Sequence, residues 1–415
     1  MPMNIIAEAQ RCLQCTVPMC QKGCPINTPI PKVIGLMLEG KLNEAGRVLF
    51  ENNPLTSVCP LVCNHENQCE GHCVLGRKGA PVHFSVIEQY ISSTYAHLKG
   101  PAPSNGIRVA IIGSGPAGLT IAVILARKGY QVTIFESKDK IGGVLRYGIP
   151  EFRLPKAVLD DFEYHHLVLK NIKVRPNTTI GGAITIENMF EDGYKAIFLG
   201  TGVWQPNTLH IKGETLGNVH FGINYLNNPD SYRLGESLNI IGAGNAAMDV
   251  ARTAIRKGVR KVTCISLTRK VAASKHEFDY AQLEGVEFLY NKKPVELVDE
   301  GVICDDVAEY EDGTFEPIPG MRKLYPADST IISISQGPKS VLVKTTDGLK
   351  ANARGLLVAD EYGRTTRPGI FASGDAVAGA RTVVEAVAHS KLVAEAMDAY
   401  MQGYDIEKKL RGFIK

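Results

Sequence analysis

Ten cysteines are spread unevenly over the 415 residues, and eight of them fall within the first 73. They form two groups of four: Cys12, Cys15, Cys20 and Cys24, followed at once by Pro25, and then Cys59, Cys63, Cys69 and Cys73. Cys264 and Cys304 stand apart. Closely spaced thiols have three main uses: disulfides, zinc ligation and iron–sulfur ligation. Structural disulfides need an oxidising compartment. The N-terminal stretch Met1-Pro2-Met3-Asn4-Ile5-Ile6 lacks the basic segment and apolar run of a secretory signal, so the chain is expected to be cytoplasmic, with reduced thiols. Zinc takes four ligands per site, and the eight cysteines could supply two sites.

Iron–sulfur clusters use the same donors. A run ending in Cys-Pro resembles the bacterial ferredoxin spacing, here with gaps of two, four and three residues. Where two such clusters occur, the last cysteine of a run ligates the other cluster. Two groups of four therefore suit two [4Fe-4S] clusters that exchange a ligand. Helical periodicity over Pro31–Asn52 predicts one helix between the groups, with Val33, Ile34, Leu36, Met37, Leu38 and Leu42 on its apolar face, continued by Ala45, Val48, Leu49 and Phe50. The breaker-rich stretch Pro101–Gly106 predicts a domain boundary.

Beyond it the sequence changes character. Arg108–Ile112 reads as a strand and runs into Gly113-Ser114-Gly115-Pro116-Ala117-Gly118. An apolar helix from Leu119 to Lys128 follows, then a strand from Gln131 to Phe135. Glu136 lies 23 residues past Gly113. Strand, glycine turn, helix, strand and acid form the complete dinucleotide-binding fingerprint. The glycines admit a pyrophosphate to the positive end of the helix, and Glu136 is placed to accept from a ribose. The unit recurs at Leu238–Ile241, Gly242-Ala243-Gly244-Asn245-Ala246-Ala247, a helix from Met248 to Lys257 and a strand from Lys261 to Ser266. Ser266, 24 residues past Gly242, replaces the acid that would hold an NAD ribose. Arg269 nearby suits a 2′-phosphate, which favours NADPH while leaving NADH open.

The C-terminal third identifies the first unit as the flavin site. A strand over Gly369–Ser373 ends in Gly374-Asp375, and the aspartate can hydrogen-bond a ribityl hydroxyl or simply cap a helix. The helix predicted from near Arg381 through Tyr400 starts around Thr382 and Val383, and its dipole would favour negative charge on a flavin ring. Gly142-Gly143 and the turn Gly200-Thr201-Gly202 let backbone approach a cofactor. A strand is predicted over Ser329–Gly337. The expected fold is α/β: a helical iron–sulfur domain at 1–104, then an FAD-binding domain at 105–230 and 339–415, with an NAD(P)-binding domain at 231–338 inserted into it.

These features together resemble the glutamate synthase small-subunit family. They are also similar to the N-terminal half of dihydropyrimidine dehydrogenase, its bacterial electron-input subunit, and the large subunit of NADH-dependent ferredoxin–NADP oxidoreductase. The resemblance is carried by CLQC to CP at 12–25, CPLVCNHENQCEGHC at 59–73, GSGPAG, GGVLRYGIPEFRLP at 142–155, GAGNAAMD at 242–249, SKHEF at 274–278 and ASGDA at 372–376. It implies FAD contacts at Gly143, Val144 and Arg146. It implies that Cys12, Cys15, Cys20 and Cys73 hold one cluster. Cys24, Cys63 and Cys69 hold the other, completed by Glu88, with Gln89 adjacent. Cys59 is then unligated, whereas counting cysteines alone makes it a ligand. The stretch from Arg269 to Ser274 is shorter than the family pattern, which leaves the nucleotide preference open.

The implied chemistry is hydride transfer between NAD(P)H and FAD, with single electrons passing through the clusters. No segment is left for a substrate domain, so the expected partner is a larger catalytic subunit or a ferredoxin-like carrier in a hetero-oligomer. A formal charge of +3 and the absence of a long apolar window argue against nucleic acid and membrane partners. Three rival readings are a disulfide reductase, for which the glycine turns lack a nearby Cys-x-x-Cys, a zinc-bearing flavin oxidase, and a non-catalytic scaffold, against which the two intact fingerprints argue.

Overall fold

The computed structural model describes residues 4–95, 101–168 and 172–410. The chain divides into two compact units, one of Met1–Arg146, Glu151–Val203 and Pro338–Lys415, the other of Tyr147–Pro150 and Trp204–Gly337. The first unit opens with helices α1 (Ile5–Gln10), α2 (Ile30–Leu38), α3 (Leu42–Asn52), α4 (Cys59–Val62) and α5 (Phe84–Thr94). The single helix expected over Pro31–Asn52 is thus two. Gly40 takes a left-handed φ of +74°, Gly40 N–H bonds Met37 O, and Lys41 N–H bonds Leu36 O. This paired C-cap satisfies the last carbonyls of α2 and turns the chain back. Val33, Ile34 and Met37 then pack with Ala45, Leu49, Ile87 and Ile91 in one buried cluster. Pro101–Gly106 carries neither helix nor strand.

The same unit continues through β1 (Arg108–Ile112), α6 (Pro116–Arg127), β2 (Gln131–Phe135), β3 (Lys173–Arg175) and β4 (Tyr194–Leu199). The second unit repeats the theme with β5 (Val219–Phe221), β6 (Ser237–Ile241), α7 (Asn245–Arg256), β7 (Lys261–Ile265), α8 (Lys275–Leu283) and β8 (Glu287–Leu289). It adds β9 (Lys292–Val298), β10 (Gly301–Glu309), β11 (Phe315–Pro326) and β12 (Ser329–Ile332). The chain then returns to the first unit with β13 (Ile370–Ala372), α9 (Asp375–Ala378) and α10 (Val383–Gln402).

Each unit holds a five-stranded parallel sheet, in the order β13-β4-β1-β2-β3 in the first and β5-β12-β6-β7-β8 in the second. Val109–Ile112 and Leu238–Ile241 are buried, which explains their unbroken apolar runs: a central parallel strand is covered on both faces. In both sheets the strand order reverses beside the first strand of the glycine unit. Such reversals open a ligand crevice at the carboxyl ends of the strands.

Four details differ from the sequence reading. Helices α6 and α7 begin at Pro116 and Asn245, directly after Gly115 and Gly244, rather than where the apolar runs begin. The strand predicted over Ser329–Gly337 ends at Ile332; Ser335 takes φ +69°, and Gln336–Gly337 pairs antiparallel with Gln205–Pro206. Residues 204–230 fall in the second unit, because β5 pairs with β12. The antiparallel sheet β9-β10-β11 has no counterpart in the sequence reading; Gly301, at φ +145°, opens β10, and Gly313, at φ +81°, lies in the turn before β11. Among the described residues no helix is long and apolar enough to cross a membrane.

Candidate functional site

The two cysteine groups interleave in space. A cavity among the N-terminal helices is lined by Cys12, Cys15, Cys20, Cys69 and Cys73, with an apolar wall that includes Leu13, Ile34 and Phe84. Burial pushes the Cys20 thiol up to about 11, and the charges of Cys73, Cys12 and Cys15 push in the same direction. Burial also raises Cys12, followed by Cys15 and Cys73. The cavity therefore brings three thiols of the first group together with Cys69 and Cys73 of the second.

A second neighbourhood joins Cys69, which also lines that cavity, to Cys24, Cys63, Cys59 and Glu88. Cys69 is raised by burial and then by the charges of Glu70, Glu88 and Cys24. Cys63 is raised by a hydrogen bond with Cys59, by burial, and by Cys59, Glu88 and Cys69. Glu88 lies on the inner face of α5, where burial lifts its carboxyl to about 7 against the lowering effect of the Thr56 hydroxyl, which donates to it at 2.8 Å. Gln89 is exposed. Cys59 is buried and accepts from Asn53 Nδ2 at 3.2 Å. Among the described residues no three His, Cys, Asp or Glu side chains converge to single-ion distances. The thiols line a cavity with an apolar wall, a donor set that fits a multi-iron cluster shielded from water. Thr56 and Asn53 were missed by the sequence reading, since neither belongs to a spaced motif.

The first glycine turn fits a dinucleotide. Gly113 has φ +97°, and a Cβ there would lie 2.5 Å from Gly200 O. A Cβ on Gly115 would meet nothing within 4 Å, so the space before the α6 N-terminus is open. Glu136 is buried and holds the turn: Oε2 accepts from Ser114 N at 2.9 Å and Ser114 Oγ at 2.6 Å, and Oε1 from Lys138 N at 2.8 Å and Ser137 Oγ at 3.2 Å. The two hydroxyl donors are the ones a ribose diol can replace. Pro116, Ala117 and Gly118 form the buried first turn of α6. Gly143, at φ +52°, approaches so near that its Cβ would be 2.8 Å from Gly115 Cα. Val144 opens a short helical turn. Arg146 Nε donates to Ile141 O at 2.8 Å and Nη2 to Asp160 Oδ1 at 2.6 Å. Gly202 has φ +65° after β4.

The return segment meets this turn. Gly374, at φ +68°, would place a Cβ 3.0 Å from Ala117 Cβ. Asp375 is the first residue of α9, and burial lifts its carboxyl to about 6 although Arg381 N–H donates to it at 3.2 Å. Thr382 caps α10, paired reciprocally with Glu385, and Val383 is the first helical residue. The buried Ser373 and Ser390 hydroxyls share a 2.6 Å hydrogen bond that ties β13 to α10.

The second glycine turn is built alike. Gly242, at φ +125°, would bring a Cβ to 2.3 Å from Ser333 O, while Gly244 faces open space. Asn245 and Ala246 start α7, and Asn245 Oδ1 accepts from Ser274 N at 2.8 Å. Ser266 is buried, and its hydroxyl donates to Thr268 O at 2.8 Å, shaping the turn that presents exposed Arg269. In the SKHEF segment Ser274 caps α8, and buried Glu277 pairs with buried Arg252 of α7 at 2.6 Å.

Comparison with known proteins agrees with this arrangement. The pyridine nucleotide-disulphide oxidoreductase family matches residues 107–390, and the dihydropyrimidine dehydrogenase domain II, 4Fe-4S cluster family matches residues 1–99. The glutamate synthase [NADPH] small chain of Halomonas elongata is 34% identical, across 96% of this chain and 91% of that protein. The NAD-dependent dihydropyrimidine dehydrogenase subunit PreT of Salmonella typhimurium is 31% identical, across 97% and 95%. The structure of Mycobacterium tuberculosis FprA in complex with NADPH superposes with a TM-score of 0.60 at 16% identity, over 76% of this chain and 87% of that one, a likeness of fold. With a 4Fe-4S domain ahead of paired FAD- and NAD(P)-binding units, the chain belongs to the pyridine nucleotide-disulphide oxidoreductases, in the branch of the glutamate synthase small chain.

Proposed function

We propose that this chain is the electron-input subunit of a larger oxidoreductase, passing electrons from NADPH through FAD and two [4Fe-4S] clusters to a partner. The observation that carries the reading is the convergence of both cysteine groups and buried Glu88 among the N-terminal helices; we assign Cys12, Cys15, Cys20 and Cys73 to one set and Cys24, Cys63, Cys69 and Glu88 to the other. Each set holds one cluster in this reading. Cys59 stays a thiol, held by Asn53. Bound FAD supplies the exchange between two-electron and one-electron chemistry.

The chain's own groups bind and orient. The open N-termini of α6 and α7 take the pyrophosphates of FAD and the nicotinamide nucleotide respectively. Asp375 would accept a hydrogen bond from a bound flavin's ribityl chain, and the α10 N-terminus would favour negative charge on the ring. The flavin-binding domain is discontinuous, interrupted by the nicotinamide unit. Ser266 in place of an acid, with Arg269 beside it, supports NADPH over NADH. The partner is a larger catalytic subunit of the glutamate synthase kind, with a dihydropyrimidine dehydrogenase-type subunit or a ferredoxin-like carrier as the alternatives.

Anaerobic affinity purification from cells tests this. Flavin, iron and acid-labile sulfide should co-purify with the chain and a larger subunit, and NADPH should bleach the flavin faster than NADH. Zinc without sulfide, or no flavin, would overturn the reading.

A further inference from the structure

Cys24 is connected to the flavin-side helix by three side chains from three parts of the sequence. Lys391, in the third turn of α10, is half-buried and its ammonium donates to Asn52 Oδ1 at 2.8 Å. An ammonium has only donors, so this contact fixes which way the Asn52 amide points. Its Nδ2 then donates to Thr28 Oγ1 at 3.2 Å. Thr28 is 3% exposed, and its Oγ1 lies 3.3 Å from Cys24 Sγ. Because that oxygen already accepts from Asn52, its single proton is free for sulfur. With Cys24 deprotonated as a ligand, each link would donate toward it.

We infer that Lys391, acting through Asn52 and Thr28, raises the reduction potential of the cluster that Cys24 would hold. The inference rests on the assignment of Cys24 as a cluster ligand. One-electron reduction adds a negative charge to a cluster, and hydrogen bonds to its sulfurs favour the reduced form. A donor chain ending in an ammonium polarises each of its members in the same direction. Desolvation lowers the Lys391 pKa, and the opposing effect comes from Cys24. The burial is thus a cost that an anionic cluster at Cys24 would offset. Lys391 is eight residues from Val383, about 12 Å along α10, so the helix whose first turn serves the flavin also carries this cation. Lys391 is a positioning and charge-setting residue, not a catalytic one.

The test is a redox titration of the anaerobically purified holoprotein, followed by the electron paramagnetic resonance of its reduced clusters. Lys391→Met and Thr28→Val should each lower the midpoint of one cluster, so that its reduced-to-oxidised ratio at a fixed potential falls about tenfold, as for losing one hydrogen bond to a charged group. The other cluster should not move. Lys391→Arg and Thr28→Ser, which keep the charge and the hydroxyl, should stay near wild type. Adding Lys391→Met to Thr28→Val should shift the midpoint less than Lys391→Met does alone. An unchanged midpoint in Lys391→Met with full iron and sulfide, or equal shifts of both clusters, overturns the inference. Absence of iron and sulfide from the wild-type protein would instead sink the assignment of Cys24 as a ligand.

Discussion

Gly115 and Gly118 lie in one turn yet should respond in opposite ways to alanine. Gly115 is the N-cap of α6 with φ −70° and ψ −177°, a conformation open to any residue, and an added Cβ meets nothing within 4 Å. At Gly118 a Cβ would stand 2.0 Å from Gly113 O, 3.1 Å from Gly113 C and 3.3 Å from Ile111 Cγ2. The first two are backbone atoms, so no rotamer change relieves the clash. Gly115→Ala gives up a few tenths to about 1 kcal/mol of capping preference and regains about 0.4–1 kcal/mol from the stiffer unfolded chain. Its net effect on the flavin-free fold is within about 0.5 kcal/mol. Its methyl instead intrudes where a pyrophosphate approaches, and an overpacking penalty of about 1–3 kcal/mol weakens FAD binding roughly 5- to 150-fold. Gly118→Ala takes a penalty of at least that size inside the fold, so both melting temperature and flavin content drop. The assay is visible flavin absorbance per chain as purified, beside thermal melts of flavin-stripped protein. Wild-type flavin retention in Gly115→Ala, or a wild-type melt in Gly118→Ala, would refute the reasoning.

Four further outcomes are expected. Arg252→Met removes the cation that meets buried Glu277 and should destabilise the nucleotide unit by about 3–5 kcal/mol, read as an earlier thermal transition; adding Glu277→Leu should recover much of it, and a wild-type melt in the single variant contradicts the assignment. Asp375 has its pKa raised to about 6, so the stability it contributes is full below about pH 4 and is lost as pH rises through 6. Flavin-stripped Asp375→Asn should therefore match wild type near pH 4 and exceed it above pH 6 by on the order of 3 kcal/mol at most, and a gap that does not vary with pH would count against it. Arg269→Ala should raise the KM for NADPH several-fold and leave that for NADH nearly unchanged; equal effects would argue against a 2′-phosphate contact. Glu88→Ala should lower iron per chain while Cys59→Ser keeps it, and the reverse pattern would make Cys59 the ligand.

What the sequence reveals is what is local. Both glycine units follow from short spacings, because strand, turn and helix are neighbours in the chain and in space. The cysteine spacing likewise announces metal chemistry. Helix ends were read less well: Pro116 and Asn245 already belong to their helices although the apolar runs start later, since a helix N-terminus is set by the glycine cap ahead of it rather than by its buried face. Gly40 was overlooked because the apolar periodicity continues past it into α3, and only the left-handed φ shows the break. The antiparallel sheet β9-β10-β11 hides in β11, whose residues are mostly exposed, so burial imposes no alternation on them. Thr56 reaches Glu88 across 32 positions and Lys391 reaches Asn52 across 339, separations at which no motif survives.

The buried ionisable groups sort by purpose. Arg252 and Glu277 are both buried and meet each other at 2.6 Å, so their charges are answered within the protein. Glu88 and Asp375 are different. Burial is the largest influence on each and raises both carboxyls, to about 7 and about 6, against hydrogen bonds that only partly oppose it. Lys391 is lowered by burial, and Cys20 and Cys69 are raised by it. In the bare chain each of these groups weakens the fold at neutral pH or is held in a less reactive protonation state. These groups lie among the clustered cysteines and beside the first glycine turn and the segment that meets it, whereas Cys264, Cys304 and Tyr225, also raised by burial, belong to the cores of the second unit. In the proposed reading a positively charged iron core would turn the thiols into ligands, and ribityl hydroxyls would satisfy a buried carboxylate. Anything that binds the native state and not the unfolded chain stabilises the native state. On that reading the cofactors would be part of what holds the N-terminal helices and the α9–α10 segment in place, and filling the sites would offset the cost of burying these groups in the bare chain.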